Sequence, residues 1–189
     1  MIIVKINGGL GNQLFCYSYA KSLEKMGYDV KIDTSTYKSY HLHGGFHLNE
    51  YKIDLEISSK SENLFYLKNP IKQKFFKVLG IKNKNIIEEK TLGFDKSLLN
   101  IPDNKFIIGY FQSEKYFKNI REILLNQFHC NFKISSYSSD IKKIILNTQN
   151  SCSIHVRRGD YISEKNKKIY HQCSIDYYKD AINILEKKY

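Results

Sequence analysis

The sequence predicts an α/β fold built on a parallel sheet. Three observations carry that prediction. A short β-branched run at the amino terminus, Ile2, Ile3, Val4 and Ile6, feeds directly into the glycine loop NGGLGNQ at 7–13. An amphipathic helix and a second short strand follow, the order of a β-loop-α-β unit. Further apolar runs at 105–111 and 152–156 each precede a segment of helical periodicity.

The elements follow in order. The first run has the unbroken apolar character of a strand covered on both faces. The helix after the glycine loop extends to about Met26, with Phe15, Tyr19, Leu23 and Met26 on one face and Gly27 as its stop. DVKID at 29–33 reads as the second strand. From Thr34 to Leu99 the pattern is the least readable, holding His41, His43 and His47 in a Tyr- and Gly-containing loop and then Lys-rich segments. KFIIGYF at 105–111 reads as a strand, after which Ser113 caps a helix with Phe117, Ile120, Leu124 and Phe128 on its apolar face. Ile141, Ile144 and Ile145 mark another helix, and the polar break NTQN at 147–150 is the candidate domain boundary, dividing the chain into 1–148 and 149–189. CSIHV at 152–156 reads as a strand leading into RRGDY, and the last helix places Ile175, Tyr178, Ile182 and Leu185 on one face. One strand and one helix cannot close a core. That final segment therefore either packs onto the first domain or belongs to a larger one.

The chain has 189 residues, 42% hydrophobic and 14% aromatic, enough to bury a core. Thirty Lys and Arg against 19 Asp and Glu leave a formal charge of +11, which suits an anionic partner. Only three of these cations are arginine: Arg121 and the adjacent pair Arg157 and Arg158. Scattered lysines argue against a nucleic-acid partner, which would favour a clustered stripe with base-reading arginines. The adjacent pair marks a site, because Arg supplies a planar bidentate fork that Lys lacks. No apolar run approaches a membrane span and no secretory leader is visible, so a cytoplasmic location is expected. Cys16, Cys130, Cys152 and Cys173 form no CxxC pair, and each reads as a small buried hydrophobe. The three clustered histidines stand in a Tyr- and Gly-containing loop, not on a helix that would turn an i,i+4 pair and an acidic third ligand to one face, and no metal site is expected.

Two constellations carry chemistry. In the first, Gly8, Gly9 and Gly11 permit close backbone approach, and the helix behind them presents N–H groups to an anion or a hydroxyl. The spacing differs from the dinucleotide fingerprint. Asn12 and Gln13 add paired amides able to hold sugar hydroxyls. The plainer reading is a glycine turn joining strand to helix. In the second, HVRRGDY at 155–161 stands at the carboxyl end of an expected strand, where open α/β folds bind ligands. Arg157 and Arg158 can neutralise a diphosphate, His155 can donate to the same group or orient a ribose, and Asp160 can fix a guanidinium or a turn. The plainer reading is a surface charge cluster.

GGLGNQLF, GYFQSEKYF at 109–117, HVRRGDY and CSIDYYKDAI at 173–182 together resemble glycosyltransferase family 11, the α-1,2-fucosyltransferases, in family order across almost the whole chain. The resemblance implies a GT-B-like pair of Rossmann-type domains that transfer L-fucose from GDP-β-L-fucose to the 2-hydroxyl of a galactoside with inversion. It implies Arg157 as the leading catalytic residue, with His155 and Arg158 on the donor diphosphate and Asp160 and Tyr161 in support. Gly9, Asn12 and Gln13 would face the cleft from the acceptor side. No metal and no cofactor beyond the donor substrate are implied. The partners would be a sugar nucleotide, a galactoside and, peripherally, the anionic inner face of a membrane. The family's later motifs are missing before Tyr189, so the second domain is expected to be truncated. The alternative is an inactive remnant that binds a glycan or a partner without catalysis.

Overall fold

The computed structural model describes residues 1–39, 44–67, 83–129, 134–156, 158–159, 168 and 172–188. They fall into two compact units, Met1–Phe132 and Lys133–Tyr189.

The first unit is α/β, as expected. Strand β1 is Ile2–Lys5 and helix α1 is Leu10–Lys25. Strand β2 is Val30–Asp33, helix α2 is Lys60–Leu67, β3 is Ile86–Glu88 and β4 is Lys105–Ile108. The four strands form one parallel sheet in the order β2-β1-β4-β3. Ile2 stands opposite Val30 on one side and Lys105 on the other, and Ile86 stands opposite Phe106. Alternation along β1 sends Ile2 and Val4 into the core shared with α1, while Ile3 packs with Phe106 and Tyr66 of α2 on the other face. A strand covered on both faces needs an unbroken apolar run, and IIV supplies it.

Several local expectations change. The buried side of α1 is broader than one stripe: Cys16, Tyr17, Tyr19, Ala20 and Leu23 are all covered, and Met26 at the end is half exposed. Strand β4 stops at Ile108, because residues 109–111 curl away from the sheet. The helix expected from Ser113 breaks into two short 3-10 turns, Glu114–Tyr116 and Lys118–Ile120, before helix α3, Arg121–Gln127. Ser113 makes no side-chain cap, and the break turns Tyr116 inward, where its hydroxyl receives the Asp95 N–H at 2.8 Å. The Lys-rich stretch carries helix α2, whose start the sequence marks. Ser59 Oγ accepts the Glu62 N–H at 3.2 Å and Glu62 Oε2 accepts the Ser59 N–H at 2.7 Å, a reciprocal capping box. That Ser59 N–H, helped by Lys31, holds the Glu62 carboxyl down at about 2.

The second unit contains helix α4, Ser136–Asn147, capped by Ser135, and helix α5, Ile175–Lys188. Both helices form where periodicity placed them. The strand expected at 152–156 does not form: these residues take no ladder, and Ile154 and Val156 are 55% and 51% exposed. A strand persists by pairing, and the described residues of this unit offer no strand to pair with. Cys152, in that unpaired segment, and Cys173, just before α5, are both exposed, which corrects their reading as buried hydrophobes, whereas Cys16 is buried. Cys130 lies outside the described residues.

Candidate functional site

The loops at the carboxyl edge of the sheet bring the glycine loop and the GYFQ segment together. Strands β1 and β4 are parallel neighbours, so the residues following each emerge side by side. Asn7 Nδ2 and Cys16 Sγ both donate to the Gly109 carbonyl at 3.4 Å. Gln112 Nε2 donates to Asn12 Oδ1 at 2.7 Å. In open α/β sheets this edge is where ligands bind.

Gly8 is required on two counts. Its φ is +71, a left-handed conformation that costs any other residue about 1–2 kcal/mol, and an added Cβ would lie 2.6 Å from Asn12 Nδ2. Helix α1 then starts from Gly9 with no side-chain cap and no acidic residue in its first turn. Its partial positive end is therefore left for an external group. The Tyr37 hydroxyl donates to the Gly8 carbonyl at 2.7 Å and steadies the loop from the β2 side.

The two amides expected to face a ligand separate. Asn12 is half-buried at the loop mouth beside the exposed Gln112. Gln13 is 0% exposed. Its Nε2 donates to the Gly8 and Gly45 carbonyls at 3.1 and 2.7 Å, and its Oε1 accepts the His47 N–H at 2.9 Å. With donors and acceptor spent on backbone, Gln13 fastens segment 44–47 to the glycine loop. The outward-facing amide pair is Asn12 with Gln112. Between them they still carry acceptor and donor capacity suited to neighbouring hydroxyls.

Behind the pair, Glu89 follows β3. Its Oε2 accepts the Tyr110 and Phe111 N–H groups at 2.7 and 3.1 Å. Phe111 has a φ of +51, and its ring stacks on Tyr19 with centroids 4.0 Å apart. Gly109 leaves the room this turn needs, since a Cβ there would lie 2.7 Å from both Glu89 Cβ and Phe111 Cζ. Burial pushes the Cys16 thiol up to about 12, only partly offset by the backbone of Asn7, which removes it from nucleophilic chemistry.

A second polar cluster lies behind α1. The Tyr17 hydroxyl lies 3.0 Å from both Asp54 Oδ1 and Gln127 Oε1, with one proton to give to either, and accepts the Asp54 N–H at 3.2 Å. The buried Lys21 ammonium reaches the Asp54 carboxylate at 2.8 Å and Glu24 at 3.2 Å. This cluster anchors α1 to the segment carrying Asp54 and to α3.

In the second unit, His155 and Arg158 are exposed. Arg157, Asp160 and Tyr161 lie outside the described residues, as do His41 and His43. His47 Nδ1 pairs with Glu50 Oε1 at 2.9 Å. Among the described residues no group of three His, Cys, Asp or Glu side chains could hold a metal ion, and no helix is long and apolar enough to cross a membrane.

The sequence model described as glycosyl transferase family 11 matches residues 1–189. The chain belongs to that family. Among its glycosyltransferase relatives, an α-1,2-colitosyltransferase of Escherichia coli is 31% identical, covering all of this chain and 65% of its own length. The O-antigen biosynthesis glycosyltransferase WbnK of Escherichia coli is 28% identical, covering 96% of this chain and 67% of its own length. The chain thus spans about two thirds of the length of these relatives. No solved structure matches it. Within this family member, sequence reasoning missed Gln112 and Glu89 as parts of the amino-terminal site. Gln112 lies in the quoted block GYFQSEKYF and carried a signal. Glu89 carried none, because only the pairing of β3 beside β4 brings it to the turn.

Proposed function

We propose that this chain carries the acceptor-side domain and the donor-diphosphate motif of an α-1,2-glycosyltransferase acting in O-antigen-type glycan synthesis. In full, the reading is transfer of L-fucose from GDP-β-L-fucose to the 2-hydroxyl of a galactoside, with inversion. The domains would be Rossmann-type in a GT-B-like arrangement, 1–148 on the acceptor side and 149–189 opening the donor side. The family match over the whole chain carries the reading. The two relatives named for α-1,2-colitosyl transfer and O-antigen biosynthesis support the linkage and the glycan class.

The chemistry assigns each residue a task. As the glycosidic bond to GDP lengthens, negative charge grows on the diphosphate, and on this reading the guanidinium groups of Arg157 and Arg158 stabilise it without a metal. His155 donates to the same diphosphate, and Asp160 and Tyr161 orient the arginines. Gly9, the uncapped start of α1, and Asn12 with Gln112 face the acceptor hydroxyls, while Gln13 holds their loop. The +11 charge supports peripheral contact with an anionic membrane surface from the cytoplasmic side.

The experiment is fucose transfer from GDP-fucose to a β-galactoside by the protein, with a colitosyl donor as the competitor. An α-1,2-fucosylated product establishes the reading, and preference for the colitosyl donor replaces the sugar while keeping the linkage. Glycan binding without turnover on either donor makes the protein a non-catalytic binder. Arg157→Lys keeps the charge but loses the bidentate contact, so GDP affinity should fall by about 1.5–3 kcal/mol. Unchanged GDP affinity removes Arg157 from the site.

A further inference from the structure

Glu89 is the unusual group of the carboxyl edge. One carboxylate oxygen takes two successive backbone N–H groups, and the other, Oε1, is buried with no hydrogen-bond partner. A desolvated carboxylate oxygen without a partner opposes folding, so its retention calls for a reason. The turn it clamps supplies one. Phe111 sits at a positive φ that a non-glycine residue adopts only when its surroundings impose it. The residue after it is Gln112, whose amide meets Asn12 at 2.7 Å. Both ends of that contact are exposed or half-exposed, so it cannot hold the turn by itself. The Glu89 side chain can, because one of its oxygens accepts both successive N–H groups of the turn.

We infer that Glu89 is a positioning residue for the acceptor site. It holds 109–111 in the strained turn that aims Gln112 at Asn12, and so sets the spacing of the two amides presented to a glycan's hydroxyls. This rests on the acceptor-side reading given above for the outward amide pair. A Gln at this position keeps a carbonyl oxygen able to accept both N–H groups. An Ala keeps none.

Two readouts test it. Amide hydrogen exchange on this chain reads the clamp directly: Glu89→Ala should speed exchange at Tyr110 and Phe111 by about tenfold or more, while Glu89→Gln stays near the wild type. Amides of β1 and β4, such as Val4 and Ile107, should be unchanged in both. Unchanged exchange at Tyr110 and Phe111 in Glu89→Ala overturns the inference. So does a loss of protection that spreads through the sheet, which would make Glu89 a general fold determinant. The second readout is steady-state transfer by the protein. Glu89→Ala should raise the acceptor KM by about tenfold with kcat nearly unchanged, the signature of lost positioning of a bound group, and Glu89→Gln should restore it. Gln112→Ala, which leaves the clamp intact, should reproduce the KM effect without changing exchange at Tyr110; a normal KM in that variant refutes the link from clamp to acceptor. A wild-type protein that neither transfers nor binds a galactoside overturns the acceptor reading, and the exchange result still decides whether Glu89 holds the turn.

Discussion

Replacing Gln13 by Glu changes one atom's chemistry at constant shape and tests what the amide does. Gln13 is fully buried, with Nε2 between the Gly8 and Gly45 carbonyls and Oε1 on the His47 N–H. The carboxylate keeps the bond from His47 but sets an anionic oxygen against two carbonyl oxygens. Two hydrogen bonds are lost, each worth about 0.5–1.5 kcal/mol, and the remaining charge is desolvated. The folded protein relieves this by protonating the new carboxyl, whose hydroxyl can then donate to one carbonyl. The folded-state pKa therefore rises above the unfolded value of about 4.3. A raised folded pKa makes the variant most stable below that value, and stability falls by about 1.4 kcal/mol per pH unit as pH rises, until the folded pKa is passed. A shift of about two units costs about 2.7 kcal/mol at neutral pH. The assay is urea unfolding followed by far-UV circular dichroism, for wild type and variant, at about pH 4 and about pH 7. A gap that opens with pH is expected. Equal stability at neutral pH, or a gap independent of pH, refutes the assignment of Gln13 as a spent, buried staple.

Two further outcomes follow from buried groups. Lys21 is 2% exposed, and Asp54→Ala would leave its ammonium with Glu24 alone at 3.2 Å, a loss of about 1–2 kcal/mol, below the full cost of breaking a buried pair because the Asp54 side chain is itself 55% exposed and Glu24 remains; urea midpoints would show it. Burial pushes the Asp54 carboxyl up, but hydrogen bonds from Lys21 and Tyr17 outweigh this and hold it below its ordinary value. Its stabilisation is therefore present above about pH 3.9 and lost toward more acid pH, and the variant should lack that share of the slope. Cys16, with its thiol raised to about 12, should resist iodoacetamide in the folded protein, while the exposed Cys152 and Cys173 react. Peptide mapping by mass spectrometry reads the sites, and labelling of Cys16 at the rate of Cys152 would contradict its burial.

Local sequence determined those elements whose pattern is set by near neighbours. The IIV run, the glycine loop, α1 and its end before Gly27, β2, the core of β4 and the helices α4 and α5 all follow from periodicity, β-branching and turn chemistry acting over a few residues. The capping box at Ser59 and Glu62 belongs with them, although the Lys-rich surroundings of α2 hid it. The four motif blocks, in their order, determined the family.

Tertiary structure decided which of the motif residues face outward. Asn12 and Gln13 are adjacent in sequence and equivalent in chemistry, yet on a helix they project about 100° apart. One meets Gln112 at the loop mouth, and the other is enclosed by Gly8, Gly45 and His47. That difference depends on which segments cover α1, and periodicity carries no record of them. Glu89 acquired its place because β3 pairs beside β4, which brings it to Phe111, 22 positions further along the chain. The apolar run at 152–156 shows the converse. Its composition is that of a strand, but a strand is made by the hydrogen-bonding partner beside it, and the described residues of that unit provide none.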